Sequence, residues 1–450
     1  MIRDAEQDLI AWNERKNRKP LILMGARQVG KTWLMNDFAA KHYPNRTVCV
    51  NLMKDDLIRE AIESSDIDPQ SIIGIIELKK RVTIIPGETL LILDEIQESP
   101  RALTSLKFFN EEMPKLAVMA AGSLLGLSLR RGSNHRNGRV RGSFPVGKVD
   151  FLDVRPMTFF EFLRAMGEER KLEALKDRKW KLVSLAHEDY VRHLKSYLFV
   201  GGMPEAVREF VETHDYHAVR RVQGAILRAY GKDFEKHAEG ALLEKIRLLW
   251  NNVPAQLAKE NRKFIYKTLR EGARAREYEV ALQWLDDAAM VHVVRRVSPP
   301  RIPLKANEDL GAFKLYVHDV GLLGALSRLE PQTLLEGSAI FTNFKGALTE
   351  QYVLQELLAT DVPLAYWASE RGDAEVDFVL QGAKDVFPVE AKAARNLKAQ
   401  SLKTYASVFN PGRCYRTSLE RQSEGARITD IPLYAVSLLA EDVGKENGNG

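Results

Sequence analysis

Short apolar runs alternate with helix-like, more polar stretches over the first third of the chain. Leu21–Met24, Thr47–Asn51, Leu90–Asp94, Ala117–Ala121 and residues 148–152 are β-rich, and the segments between them read as helical. That alternation predicts an α/β fold with a layered sheet. Ahead of it, residues 1–19 read as an amphipathic helix ending in the basic run Arg15-Lys16-Asn17-Arg18-Lys19. From about 156 to 330 the pattern is mostly helical, with long stretches near 183–200, 216–236 and 242–259. Beyond 333 it is mixed, with strand-like runs at 376–380 and 386–391. Residues 441–450 are polar and rich in Gly and Asn, the composition of a disordered tail. No internal repeat is visible. The expected division is 1–155, 156–330, 331–440 and the tail 441–450.

Composition narrows the class. A chain of 450 residues accommodates two to four domains. With 45% hydrophobic and 28% charged residues it reads as an ordinary globular protein. Its two cysteines, Cys49 and Cys414, lack metal-ligand spacing and suggest neither a disulfide framework nor a zinc site. The opening Met1-Ile2-Arg3-Asp4-Ala5-Glu6 carries acids and no signal-type apolar core. The longest uncharged apolar run, 116–129, is too short to span a bilayer. A cytoplasmic protein without a membrane partner is expected. The net charge of +5 is unevenly spread: 1–150 carries +4, 151–330 carries +5 and 331–450 carries −4. This permits DNA as a partner without requiring it.

The strongest chemical signal is Gly25-Ala26-Arg27-Gln28-Val29-Gly30-Lys31-Thr32, set between the first apolar run and a helix-like segment beginning at Trp33. Strand, glycine loop and helix in this order form a phosphate-binding P-loop. The glycines let successive backbone N–H groups face phosphate oxygens, and the helix N-terminus adds its positive end. Gly25, Gln28, Val29, Gly30, Lys31, Thr32 and Trp33 are therefore the candidate ATP-binding residues. Lys31 would reach the β- and γ-phosphates, and Thr32 would hold Mg²⁺. The apolar run 90–93 ends in Asp94-Glu95, which supplies a second Mg²⁺ residue and a base to orient and polarise water. Ser123, just beyond the run 116–121, is placed to touch the γ-phosphate or that water, or to end the strand in a plain turn. Residues 124–148 hold Arg130, Arg131, Arg136, Arg139, Arg141 and Lys148 and no acid. Three readings stay open for them: a solvated loop, an arginine finger for a neighbouring subunit in a homo-oligomer, or phosphate contacts to nucleic acid.

These motifs, with others further on, resemble a large prokaryotic family of AAA-type ATPases that carry a C-terminal domain of unknown function. The resemblance rests on Gly25 to Thr32, Leu93-Asp94-Glu95-Ile96-Gln97, Ala121-Gly122-Ser123 and Phe144-Pro145-Val146-Gly147-Lys148-Val149. It continues in Pro156-Met157-Thr158-Phe159-Phe160-Glu161-Phe162-Leu163 and Gly201-Gly202-Met203-Pro204-Glu205-Ala206. Its later parts are Phe313-Lys314-Leu315-Tyr316, Asp319-Val320-Gly321-Leu322-Leu323 and Glu375-Val376-Asp377-Phe378. The resemblance implies a P-loop NTPase domain of AAA type, a helical middle with a winged-helix-like unit, and a C-terminal α/β domain similar to restriction endonucleases. Many relatives have Gly-Arg where this chain has Gly147-Lys148, so an arginine-finger role does not transfer directly to Lys148. The helical spacing of 278–285, followed by an alternating run at 290–297, agrees with a helix and β-wing. Such a unit serves DNA binding or protein contact.

A second phosphate chemistry is written in residues 375–392. Two strand-like runs joined by a short turn predict a hairpin carrying Asp377 on one strand, with Glu390 and Lys392 on one face of the other. This matches the PD-(D/E)xK nuclease pattern, and it equally describes a solvated hairpin with a Glu–Lys pair. Glu350, on the preceding helix-like run, offers a further carboxylate. The leading expectation is an ATPase whose nucleotide state rearranges a nuclease-like C-terminal domain. The alternatives are an ATP-regulated, Mg²⁺-dependent DNA-processing nuclease and a slow nucleotide switch for a protein or DNA partner.

Overall fold

The apolar runs of the first third form one parallel sheet. The strands are β1 (Leu21–Met24), β2 (Thr47–Asn51), β3 (Leu90–Asp94), β4 (Ala117–Ala121) and β5 (Asp150–Asp153), in the order β2-β3-β4-β1-β5. Among the helices that accompany it are α1 (Ala5–Asn13), α2 (Lys31–His42), α3 (Asp56–Ser64), α4 (Pro69–Lys80) and α5 (Pro100–Glu112). β3 and β4 are buried along their whole length, which is why they read as unbroken apolar runs rather than alternating ones. Ile22, Val50, Leu91 and Leu93 from the sheet share a core with Ile58, Ile72, Ile76, Leu106 and Phe109 from the helices. Local chemistry sets the helix starts. Asp68 and Ser99 accept hydrogen bonds from the Ser71 and Ala102 amides, each with proline at the next position. β5 starts at Asp150 rather than Lys148 because Gly147, at φ +72°, turns the chain just before it.

The computed structural model describes residues 1–122, 125, 145, 147–259, 263–333, 342–393 and 400–448. These fall into two compact units, Met1–Arg155 with Asp287–Ala289, and Pro156–Asp286 with Met290–Gly450.

The second unit begins with helices and ends in an eight-stranded sheet. The stretch 183–200 is two helices, Trp180–Leu185 and His187–Val200, parted at Ala186, while Tyr216–His237 and Gly240–Leu257 run as expected. The helix Ala275–Asp287 leads to an antiparallel pair, β6 (Val291–Val297) and β7 (Glu308–Val317). The remaining strands are β8 (Leu364–Ala368), β9 (Glu375–Gln381), β10 (Val386–Ala391), β11 (Cys414–Ser418), β12 (Ser423–Glu424) and β13 (Ile428–Pro432). Their order is β12-β13-β11-β10-β9-β8-β6-β7. The sheet thus runs through β6 and β8 across the expected division at 330. A helix, Ser437–Gly448, covers most of the segment read as a disordered tail. Its apolar face buries Leu438, Leu439, Ala440 and Val443, and Arg178 pairs with Asp442 at 2.5 Å.

Three motifs far apart in sequence meet in this unit. The Asp319 carboxylate accepts from Gly202 N (2.6 Å) and Leu322 N (2.9 Å), and Met157 N donates to Gly202 O (2.7 Å). A Cβ on Gly202 would lie 2.1 Å from Met157 O, so only glycine permits the approach. Burial raises the Asp319 pKa to about 6 despite these donors. Among the described residues no helix is long and apolar enough to cross a membrane.

Candidate functional site

In a parallel sheet the strand carboxyl ends share one edge, where ligands bind. Register aligns Asn51 with Asp94, and Asp94 with Ala121, so β2, β3 and β4 end together. β1 runs into the P-loop at the same edge. Gly25, at φ +127°, and Gly30, at φ +94°, curl the loop, and Gly30 leads into α2 with no side-chain cap. The first amides of α2 are thereby left to an external acceptor.

Lys31 is buried, and its ammonium donates to Gly25 O (2.9 Å) and Ala26 O (2.8 Å). Burial pushes its pKa down to about 8, with Glu95 and Asp94 pulling the other way. Thr32 Oγ1 lies 3.2 Å from both carboxylate oxygens of Asp94, and Asn51 Nδ2 donates to Asp94 Oδ2 at 2.9 Å. Burial first, and then the neighbouring Glu95, raise the Asp94 pKa. A hydroxyl beside a buried carboxylate, with a second acid adjacent, is a set of hard oxygen donors. These residues fit Mg²⁺. Glu95 follows on a left-handed turn (φ +53°), and Gln97 Nε2 donates to its Oε2 at 2.5 Å. Val29 is fully buried, whereas Trp33 is 44% exposed on the first turn of α2.

Two residues here escaped the sequence reading. Arg3 is buried and donates to Val29 O (2.9 Å) and Arg155 O (2.6 Å), bracing the P-loop from the N-terminus. A lone arginine gives no local sign of this. Asn51 had one: a polar residue closing a strand that pairs with the Asp94 strand. Ser123, Arg130, Arg131, Arg136, Arg139 and Arg141 lie outside the described residues. Lys148 precedes β5, at the amino ends of the strands, and forms an exposed pair with Glu111 at 2.9 Å. The P-loop lies a strand length away, roughly 13 Å for four residues. That placement keeps Lys148 away from the P-loop of its own chain, and its exposed pair with Glu111 agrees with a solvated position.

Gly25 carries a direct prediction. A Cβ there would stand 2.2 Å from Val154 O, in a backbone conformation that L side chains rarely adopt. Strain of this kind costs about 1–3 kcal/mol. Gly25→Ala is expected to weaken binding of a fluorescent ATP analogue by roughly tenfold or more. Gly74→Ala, which meets nothing within 4 Å, is the control. Equal affinities would remove the close approach from the site's requirements.

The nuclease-like residues are brought together, but around a cation of the chain's own. Register Val389 to Phe378 puts Glu390 opposite Asp377, and Asp377 Oδ2 accepts from Ala391 N at 2.9 Å. Lys392 Nζ pairs with Glu390 Oε1 at 2.5 Å. Among the described residues Glu390 Oε2 is buried without a hydrogen-bond partner, and burial raises the Glu390 pKa. Lys314, on β7, is fully buried. Its ammonium lies 2.9 Å from Glu350, 2.6 Å from Glu375 and 3.9 Å from Asp377, and 4.9 Å from the centre of the Tyr366 ring. The Tyr316 hydroxyl also donates to Glu350. Among the described residues no group of three or more His, Cys, Asp or Glu is placed to hold a metal ion. Of the carboxylates expected to bind Mg²⁺, Glu350 and Asp377 lie near Lys314 and Glu390 pairs with Lys392, so each already faces a cation of the chain.

Residues 17–163 match the AAA domain family. The first unit carries a P-loop AAA-type ATPase domain. Residues 191–333 match a domain of unknown function, DUF8612, and 345–436 match another, DUF4143. No curated protein matches the chain. Among solved structures, it is similar to the Walker-type ATPase PABY2304 of Pyrococcus abyssi, with TM-score 0.44 and 14% identity over 72% of this chain and 96% of that one. It is also similar to the Aeropyrum pernix ORC1 protein in complex with DNA, with TM-score 0.28 and 14% identity over 73% and 93% of the two chains. For Drosophila ORC bound to DNA the TM-score is 0.28 and the identity 12%, over 72% and 94%. The AAA domain match spans every P-loop and Asp94-Glu95 residue described above.

Proposed function

We propose that the AAA domain hydrolyses ATP and that nucleotide state rearranges the second unit. The observation carrying this reading is the contact of Thr32 Oγ1 with both Asp94 oxygens, beside the P-loop that holds Lys31. Thr32 and Asp94 would hold Mg²⁺, which neutralises phosphate charge when bound. Lys31 would leave its loop carbonyls for phosphate oxygens, and Glu95 would take a proton from water. The coupling is supported by connectivity. Val154 and Arg155, which pack on Gly25 and are held by Arg3, lead straight into Pro156, the first residue of the second unit.

The test is phosphate release from ATP by the full chain, with Lys31→Ala beside it. Hydrogen bonds to a charged group contribute about 1.5–3 kcal/mol. Lys31→Ala is therefore expected to weaken ATP binding by roughly tenfold to a hundredfold. A wild-type chain that binds ATP and releases no phosphate would turn the reading into a nucleotide switch.

A further inference from the structure

The amide of Gln97 stands at the same edge as Asp94 and Glu95 with one half of its hydrogen-bonding capacity used. Its Nε2 donates to Glu95 Oε2 at 2.5 Å. Its Oε1 is buried and, among the described residues, has no hydrogen-bond partner. That oxygen faces the end of β4, where a Cβ on Gly122 would lie 2.6 Å from it. The missing side chain at Gly122 is what gives the amide its place. Leaving a buried acceptor unsatisfied costs about 1–3 kcal/mol, so such an atom calls for a donor that the described residues do not provide. Ile96, fully buried between Glu95 and Gln97, anchors the short helical turn Ile96–Glu98 that carries the amide.

We propose that Gln97 is a positioning residue for ATP hydrolysis: its N–H holds the Glu95 carboxylate, and its carbonyl oxygen is the second acceptor for the attacking water. The inference rests on the hydrolysis reading above. In the step, the water oxygen forms a bond to the γ-phosphorus, and the bond to the β,γ-bridging oxygen breaks with its electron pair leaving on ADP. One water proton passes to the Glu95 carboxylate. The other stays on the attacking oxygen and is donated as a hydrogen bond to Gln97 Oε1. Two acceptors fix both the position of the water and the direction of its lone pair, which one carboxylate alone does not.

Gln97→Met keeps the length of the side chain and removes both hydrogen bonds. Its kcat for phosphate release is expected to fall roughly tenfold to a hundredfold, with KM for ATP and affinity for a fluorescent ATP analogue within about twofold of wild type. Gln97→Glu keeps the acceptor but sets a second carboxylate against Glu95. Its activity relative to wild type should recover as pH falls and the new carboxyl regains a proton to donate. A purely structural role for Gln97 would give no such inverted pH profile. Unchanged kcat in Gln97→Met, or in Gln97→Glu at neutral pH and above, overturns the proposal, as does a loss confined to KM. If Gln97→Met does not fold, the pH profile of Gln97→Glu decides. A wild-type chain that binds ATP without hydrolysing it overturns the ATPase reading instead, which keeps the two failures apart.

Discussion

Glu95→Gln is expected to leave ATP bound and to lower its turnover by about 10²- to 10⁴-fold, the range contributed by a positioned general base. Glutamine keeps the size of the side chain but cannot accept a proton from water at neutral pH. Binding should survive because the phosphate cradle is built elsewhere, from the P-loop, Lys31 and the first amides of α2. The site also gains, since a negative charge beside Asp94 is removed, and that charge helps to raise the Asp94 pKa. The variant should therefore bind ATP at least as tightly as wild type. Single-turnover phosphate release, measured beside nucleotide affinity, separates the two effects. A variant that hydrolyses at the wild-type rate would take Glu95 out of the catalytic role.

Lys314→Met is expected to destabilise the protein by about 3–5 kcal/mol, the cost of breaking a buried ion pair by removing one partner. The ammonium is fully buried and close to Glu350, Glu375 and Asp377, so its loss leaves the buried Glu350 beside two further carboxylates without their cation. Chemical denaturation of the full chain reads this as an earlier unfolding transition of the second unit. Adding Glu350→Gln to Lys314→Met should return part of the loss, because contacting residues couple by about 0.5–3 kcal/mol. If Lys314→Met is as stable as wild type, the cluster is not held by its lysine. The carboxylates would then be free to serve as the sequence pattern first suggested.

What was legible in the chain follows from how local each signal is. β1 to β4 occur at the residues their apolar runs mark; β3 and β4 do so because a buried parallel strand must be apolar on both faces, while the edge strand β2 buries alternate residues. The P-loop and Asp94-Glu95 were equally legible, since phosphate binding needs its residues in a short, fixed order. The hairpin of β9 and β10 was visible in its two strand-like runs, whereas Lys392 stands just past the end of β10. The helix Ser437–Gly448 was hidden because its buried residues, Leu438, Leu439, Ala440 and Val443, mostly precede the polar stretch, and an apolar side matters only once something covers it.

By itself, the sequence determined an AAA domain with a P-loop followed by Asp94-Glu95, and a hairpin with Asp377, Glu390 and Lys392 in or beside its strands. Tertiary structure decided what surrounds each set. Asn51 meets Asp94 only through strand register, and Arg3 reaches Val29 only when the N-terminus packs back on the loop. Lys314 sat in a recognised string with no assigned role. It becomes the centre of the C-terminal carboxylates because β7, β9 and the helix Thr342–Leu358 converge on it. The physical reason is the same in each case. Residue type and spacing determine which chemistry a segment can offer, whereas charge compensation depends on neighbours that only folding brings within a few ångströms.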